Sequence, residues 1–107
     1  MASYDLIEKA AKAAKDLNAP ITIGNILTSD TFYGDDGIEA MEKWKKMGVL
    51  AVEMEAAGLY LTAARLNKKA LAIMTISDLI FTHEATSAEE RQVTFKKMME
   101  IALEIVV

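Results

Sequence analysis

Two apolar runs, VLAVEME at residues 49–55 and KALAIMTIS at residues 69–77, constrain this chain more than any other feature. Each is hydrophobic almost throughout a strand's length, as a strand covered on both faces must be, and each follows a stretch of helical periodicity. Residues 38–47 read as a helix stopped near Gly48, residues 56–66 as another, and residues 88–106 as a last one. Strands alternating with helices of this length need crossover connections, hence a mostly parallel sheet. Upstream, SYDLIEKAAKAAKDL puts Leu6, Ala10, Ala13 and Leu17 on one helical face. Asn18 closes that helix in a left-handed conformation and Pro20 keeps it closed. ITIGNIL, residues 21–27, follows as a β-branched strand. The expected fold class is α/β, a partial and mostly parallel sheet of about three strands flanked by helices, in a single domain over residues 1–107. So narrow a parallel sheet leaves pairing surface for something else, and a second copy is the economical occupant because twofold assemblies are the commonest.

Composition removes several classes of function. A net charge of -4, with basic residues scattered among acids, gives no general attraction to nucleic acid or to an anionic membrane. With no cysteine and one histidine, disulfides, thiolate chemistry and a histidine-rich metal site are excluded. No apolar run approaches the roughly 18 residues of a membrane span, and the amino terminus lacks the order of a secretory signal, so a cytoplasmic protein is expected.

Ligands of open parallel sheets bind beyond the carboxyl ends of the strands. The first such end is AVEMEAAG, where two-residue alternation places Glu53 and Glu55 on one side of the pleat and Leu50, Val52 and Met54 on the other. A carboxylate there suits the vicinal hydroxyls of a sugar; equally, either glutamate suits the amino end of the helix beginning near Ala56. The second end is TISD. Ser87 and Glu90 form a capping box that starts the last helix, and steps of four and three then carry Arg91, Phe95, Met98, Ala102 and Ile105 along its inward stripe. An inward guanidinium needs an acceptor, and Asp78 is placed to be one, either as a structural ion pair or as a proton donor whose state the arginine controls. Between strand and helix, His83 reads as a solvated loop residue, whereas the loop TSDTFYGDDG carries Phe32 and Tyr33, aromatics that a mere connection rarely needs.

The strings GNILTSDTFY, GVLAVEMEAAGLY, KALAIMTISD and THEATSAEERQVTFKKMMEIALE, in this order, resemble the carboxyl-terminal half of bacterial-type purine nucleoside phosphorylases, the small-subunit, hexameric branch of the nucleoside phosphorylase superfamily. The resemblance implies half of that fold and phosphorolysis of purine nucleosides to free base and ribose 1-phosphate. This is a transferase activity of purine salvage that uses phosphate as co-substrate, with no cofactor and no metal, in a homo-oligomer. It implies that Phe32 stacks near base and ribose, and that Val52, Glu53 and Met54 line the nucleoside pocket. Glu55 would hold the ribose 2'- and 3'-hydroxyls, Ser77 would lie beside the general acid Asp78, and Asp78 would protonate N7 of the departing purine. An aspartic acid near its ordinary pKa of about 3.9 is a poor acid at neutral pH, and a permanently adjacent arginine would lower it further. Arg91 is therefore expected to engage as the proton leaves.

Two departures bear on base preference. Leu79 stands where many members carry histidine, and the loop between Phe32 and Glu53 is one residue longer than in some relatives. The family's phosphate loop, its phosphate-binding arginines and the histidine that a neighbouring subunit offers to the 5'-hydroxyl belong to an amino-terminal half outside these strings. The chain by itself is accordingly expected to be inactive or very weak. The alternatives are a hydrolytic nucleosidase of the same superfamily, against which EERQ speaks, and a noncatalytic fragment that self-associates or binds nucleoside without turnover.

Overall fold

The computed structural model describes residues 1–31, 37–82 and 87–106. The elements run α1 (Tyr4–Asp16), β1 (Ile26–Thr28), α2 (Gly37–Lys46), β2 (Ala51–Glu53), α3 (Ala56–Arg65) and α4 (Ala88–Val106). β1 and β2 pair in parallel with Ile26 opposite Ala51, Leu27 opposite Val52 and Thr28 opposite Glu53, the crossover between them containing α2. The α/β class and the parallel sheet are as expected.

Three helices stop by the same local device. Asn18, Gly48 and Asn67 take φ of 53°, 85° and 54° after α1, α2 and α3. In each case the next N–H turns back to the carbonyl five residues earlier: Ala19 to Ala14 at 2.8 Å, Val49 to Trp44 at 3.1 Å, and Lys68 to Ala63 at 2.8 Å. A carbonyl in the closing turn of each helix is thereby satisfied locally. α4 starts as its capping box predicts, with the Ser87 hydroxyl accepting the Glu90 N–H at 3.1 Å.

The core lies between α1 and α4. Ala10, Ala13 and Ala14 bury one stripe of α1 against Ile101, with Leu17, Ala19, Leu71, Ile73 and Ile105 packed around them. Small side chains on α1 let the two helices approach closely, and Ile101 fills the space between. α1 ends beside Lys97, whose ammonium reaches the Leu17 carbonyl at 3.4 Å, so the first turns of α4 run on past it. The inward stripe of α4 consequently holds at Met98, Ile101, Ala102 and Ile105 but opens toward the amino end, where Phe95 is 38% exposed.

Among the described residues the sheet is narrower than the sequence predicts: two strands form the ladder, not three. Of residues 21–27 only the end pairs, and Ile21 and Ile23 stay exposed. Residues 69–77 join no ladder among the described residues, and near their start the backbone groups of Ala70 and Ala72 bond elsewhere. Ala70 exchanges two hydrogen bonds with Ser3, one to its backbone N–H at 2.9 Å and one to its hydroxyl at 3.0 Å, and the Ala72 N–H donates to the Tyr60 hydroxyl at 2.9 Å. An exposed ion pair between Lys69 and Asp5, 2.5 Å apart, holds the same segment to α1. From Ile73 to Asp78 half-buried and exposed residues still alternate, the signature of a strand with one covered side.

Much apolar surface remains open. The chain exposes 8494 Å², where a closed monomer of this mass exposes roughly 5,900 Å². Trp44, Leu50, Leu61 and Leu103 are among the exposed side chains.

Candidate functional site

Side-chain hydrogen bonds converge at the common end of β1 and β2. The Thr28 hydroxyl donates to one oxygen of the Glu53 carboxylate and accepts the Ala57 N–H at 3.0 Å. The other Glu53 oxygen accepts the N–H groups of Glu55 at 2.5 Å and Ala56 at 2.7 Å. These N–H groups open α3 and have no partner within the helix, so Glu53 serves the helix terminus, one of the two roles its position allows. Burial by itself would raise the Glu53 pKa. Hydrogen bonds from the Thr28 hydroxyl and from the N–H groups of Glu55, Ala56 and Met54 outweigh it and hold the carboxyl below its ordinary value.

The folded chain thus favours the charged carboxylate more than the unfolded chain does. Its contribution to stability is complete above the ordinary value of 4.5 and is lost as pH falls through the depressed folded value. Thermal unfolding followed from pH 7 downward is expected to show melting temperature dropping below about pH 4.5. Glu53→Gln should lower the neutral-pH melting temperature and flatten that acid limb; an unchanged limb would remove Glu53 from the account.

Glu55 lies differently from the alternation expected for it. Its φ of -126° and ψ of -22° take it out of the strand and into the first position before α3, so it does not share a side of the pleat with Glu53. Its side chain is exposed and makes no hydrogen bond or ion pair with a described residue. Of the two glutamates, Glu55 therefore has acceptor oxygens available to a ligand, while those of Glu53 are engaged. Val52 is half-buried in β2, and Met54 is exposed at the turn.

The structure brings Asp78 and Arg91 together, as the inward placement of Arg91 predicts. One guanidinium nitrogen lies 3.5 Å from an Asp78 oxygen, the side chains being 42% and 56% exposed for Arg91 and Asp78. This contact, at the outer limit of hydrogen bonding and open to water, is worth about 0–1 kcal/mol. Ser77, half-buried, precedes Asp78, and Thr75 donates to the Met98 sulfur at 3.5 Å, attaching this segment to α4. Phe32, Tyr33 and His83 lie outside the described residues.

Two features go beyond what the sequence shows. One is Thr28, although a hydroxyl residue closing an apolar strand next to a loop is a visible signal. The other is the groove of about 330 Å³ between α2 and the sheet, lined by Trp44, Lys45, Leu50, Val52, Ile80 and Phe81. At its rim the Lys45 ammonium sits 4.7 Å from the centre of the Phe81 ring, tying the segment after Asp78 to α2.

Among known families, the whole chain, residues 1–107, matches the Phosphorylase superfamily. It is 56% identical over 104 residues to a purine nucleoside phosphorylase DeoD-type of Thermoanaerobacter sp. (strain X514), an alignment covering 97% of this chain and 44% of that protein. The DeoD-type protein of Bacillus subtilis (strain 168) is 50% identical over 102 residues, 95% of this chain and 43% of the relative. That of Lactococcus lactis subsp. cremoris (strain MG1363) is 52% identical over all 107 residues and 44% of its own length. The chain spans less than half the length of each of these relatives.

Proposed function

Because the chain belongs to the phosphorylase superfamily, we propose that it supplies the nucleoside-binding and general-acid portion of a purine nucleoside phosphorylase. The observation that carries this reading is the Asp78–Arg91 contact, open to solvent and set at the end of an apolar segment beside a helix start. In the reaction the bond between C1' and N9 breaks, Asp78 gives its proton to N7 of the leaving base, and a phosphate oxygen takes C1'. Arg91 draws closer as Asp78 becomes an anion. Glu55, with its oxygens uncommitted, accepts from the ribose 2'- and 3'-hydroxyls; Phe32, Val52 and Met54 flank base and sugar, and Ser77 lies beside the acid. Glu53 contributes by fixing the turn between them.

Phosphate is the co-substrate and no cofactor is required. Its binding groups fall in the part of the relatives' length that these 107 residues do not span, so phosphorolysis needs that part to be supplied. The protein acts in cytoplasmic purine salvage as a homo-oligomer, to which the open apolar surface lends support; no helix among the described residues is long and apolar enough to cross a membrane. The same open surface favours self-association without turnover as the second reading.

Release of hypoxanthine from inosine separates these readings. The chain by itself should release none, and adding a separately produced amino-terminal half of a DeoD-type relative should restore release that requires phosphate. Release without phosphate would replace phosphorolysis by hydrolysis. Inosine binding without release in the combined assembly would favour the noncatalytic reading.

A further inference from the structure

We propose that Thr28 is a positioning residue for the ribose-binding turn, holding Glu53 so that the backbone of Glu55 is fixed where its carboxylate can meet the sugar. The proposal rests on the phosphorylase reading above and concerns a residue on a different strand from any that reading assigns.

A threonine hydroxyl has one hydrogen to donate and two lone pairs. Thr28 spends the hydrogen on the Glu53 carboxylate and one lone pair on the Ala57 N–H, 3.0 Å away, so a single oxygen joins β1 to the end of β2 and the first turn of α3. The pairing register makes this possible, since Thr28 and Glu53 are opposite one another in the ladder, and the Ser29 N–H donates to the Glu53 carbonyl at 2.9 Å just beyond. Glu53 passes the constraint on through the N–H groups of Glu55 and Ala56. Glu55 itself is held by nothing else on its side chain, so its position depends on this backbone anchor. Valine in place of Thr28 would keep the shape and the strand preference and lose both bonds. Glu53 would then be free to leave the helix terminus, and the turn that presents Glu55 would loosen.

The test uses the 107-residue chain, with inosine as the probe, and two readouts by nuclear magnetic resonance. Thr28→Val should move the titration midpoint of the Glu53 carboxyl upward and weaken inosine binding about tenfold, the loss of one well-placed bond to a charged group. Thr28→Ser should restore both. In the assembly completed with an amino-terminal half, Thr28→Val should raise KM more than it lowers kcat, a division that general loss of folded protein would not produce. Thr28→Ala, read in the same way, serves if the valine variant does not fold. An unmoved Glu53 midpoint overturns the network, and an inosine-binding chain indifferent to Thr28→Val overturns the positioning role. A completed assembly that binds no inosine, although Glu53 responds to Thr28→Val, overturns the phosphorylase reading and this role together.

Discussion

Replacing Asp78 by Asn is expected to slow phosphate-dependent hypoxanthine release about 10²- to 10⁴-fold in the assembly completed with an amino-terminal half, the range that a positioned general acid contributes. Asparagine has the same shape and still offers a hydrogen bond, but it has no proton to transfer to N7. Inosine affinity should therefore change far less than turnover, and KM and kcat must be separated to see it. Arg91 sharpens the prediction. At 3.5 Å the guanidinium is near enough to follow a charge that develops on Asp78 during the reaction. Arg91→Gln should slow turnover less than Asp78→Asn does, and the double variant should be little worse than Asp78→Asn alone, since the two act on one proton. Unchanged turnover in Asp78→Asn would end the acid assignment.

The second large effect is on stability. Ile101, 4% exposed, is the one large side chain in the buried cluster of the described residues, wedged against Ala10, Ala13 and Ala14. Ile101→Ala leaves a space that three alanines cannot fill, at a cost of about 2–5 kcal/mol. Ordinary domains have only about 5–15 kcal/mol in total. A chain with so small a core should lose its cooperative melt, or have it lowered by at least roughly 10 °C in circular dichroism. Met99→Ala on the exposed side of the same helix, where Met99 is 55% accessible, provides the comparison and should change little.

What could be read from the sequence was mostly what neighbours in sequence decide. Asn18, Gly48 and the Ser87–Glu90 box mark helix ends because caps are made within a few residues. The Arg91–Asp78 contact followed from helical spacing plus the rule that an inward cation needs an acceptor. Strand pairing is decided at a distance, and there the reading fell short. Residues 69–77 have strand composition, but nothing in their composition shows that Ser3 and Tyr60 take backbone bonds of Ala70 and Ala72. Alternation also put Glu53 and Glu55 together, because it assumed the strand continued. The bonds from Thr28 and from the N–H groups of α3 end it at Glu53, and so give the two carboxylates different work. The chemical roles themselves came from the family resemblance, since a carboxylate's place in a turn does not name its substrate.

The open surface also changes what a stability measurement on this chain means. It exceeds that of a closed monomer by roughly 2,600 Å², and a species that covered it in the folded form alone would raise the measured stability. Mass action then adds RT ln(1 + [L]/Kd) to the apparent stability, about 2.7 kcal/mol when the covering species stands at a hundred times its dissociation constant. If a second copy covers it, as proposed, the melting temperature should rise with protein concentration and fall on dilution.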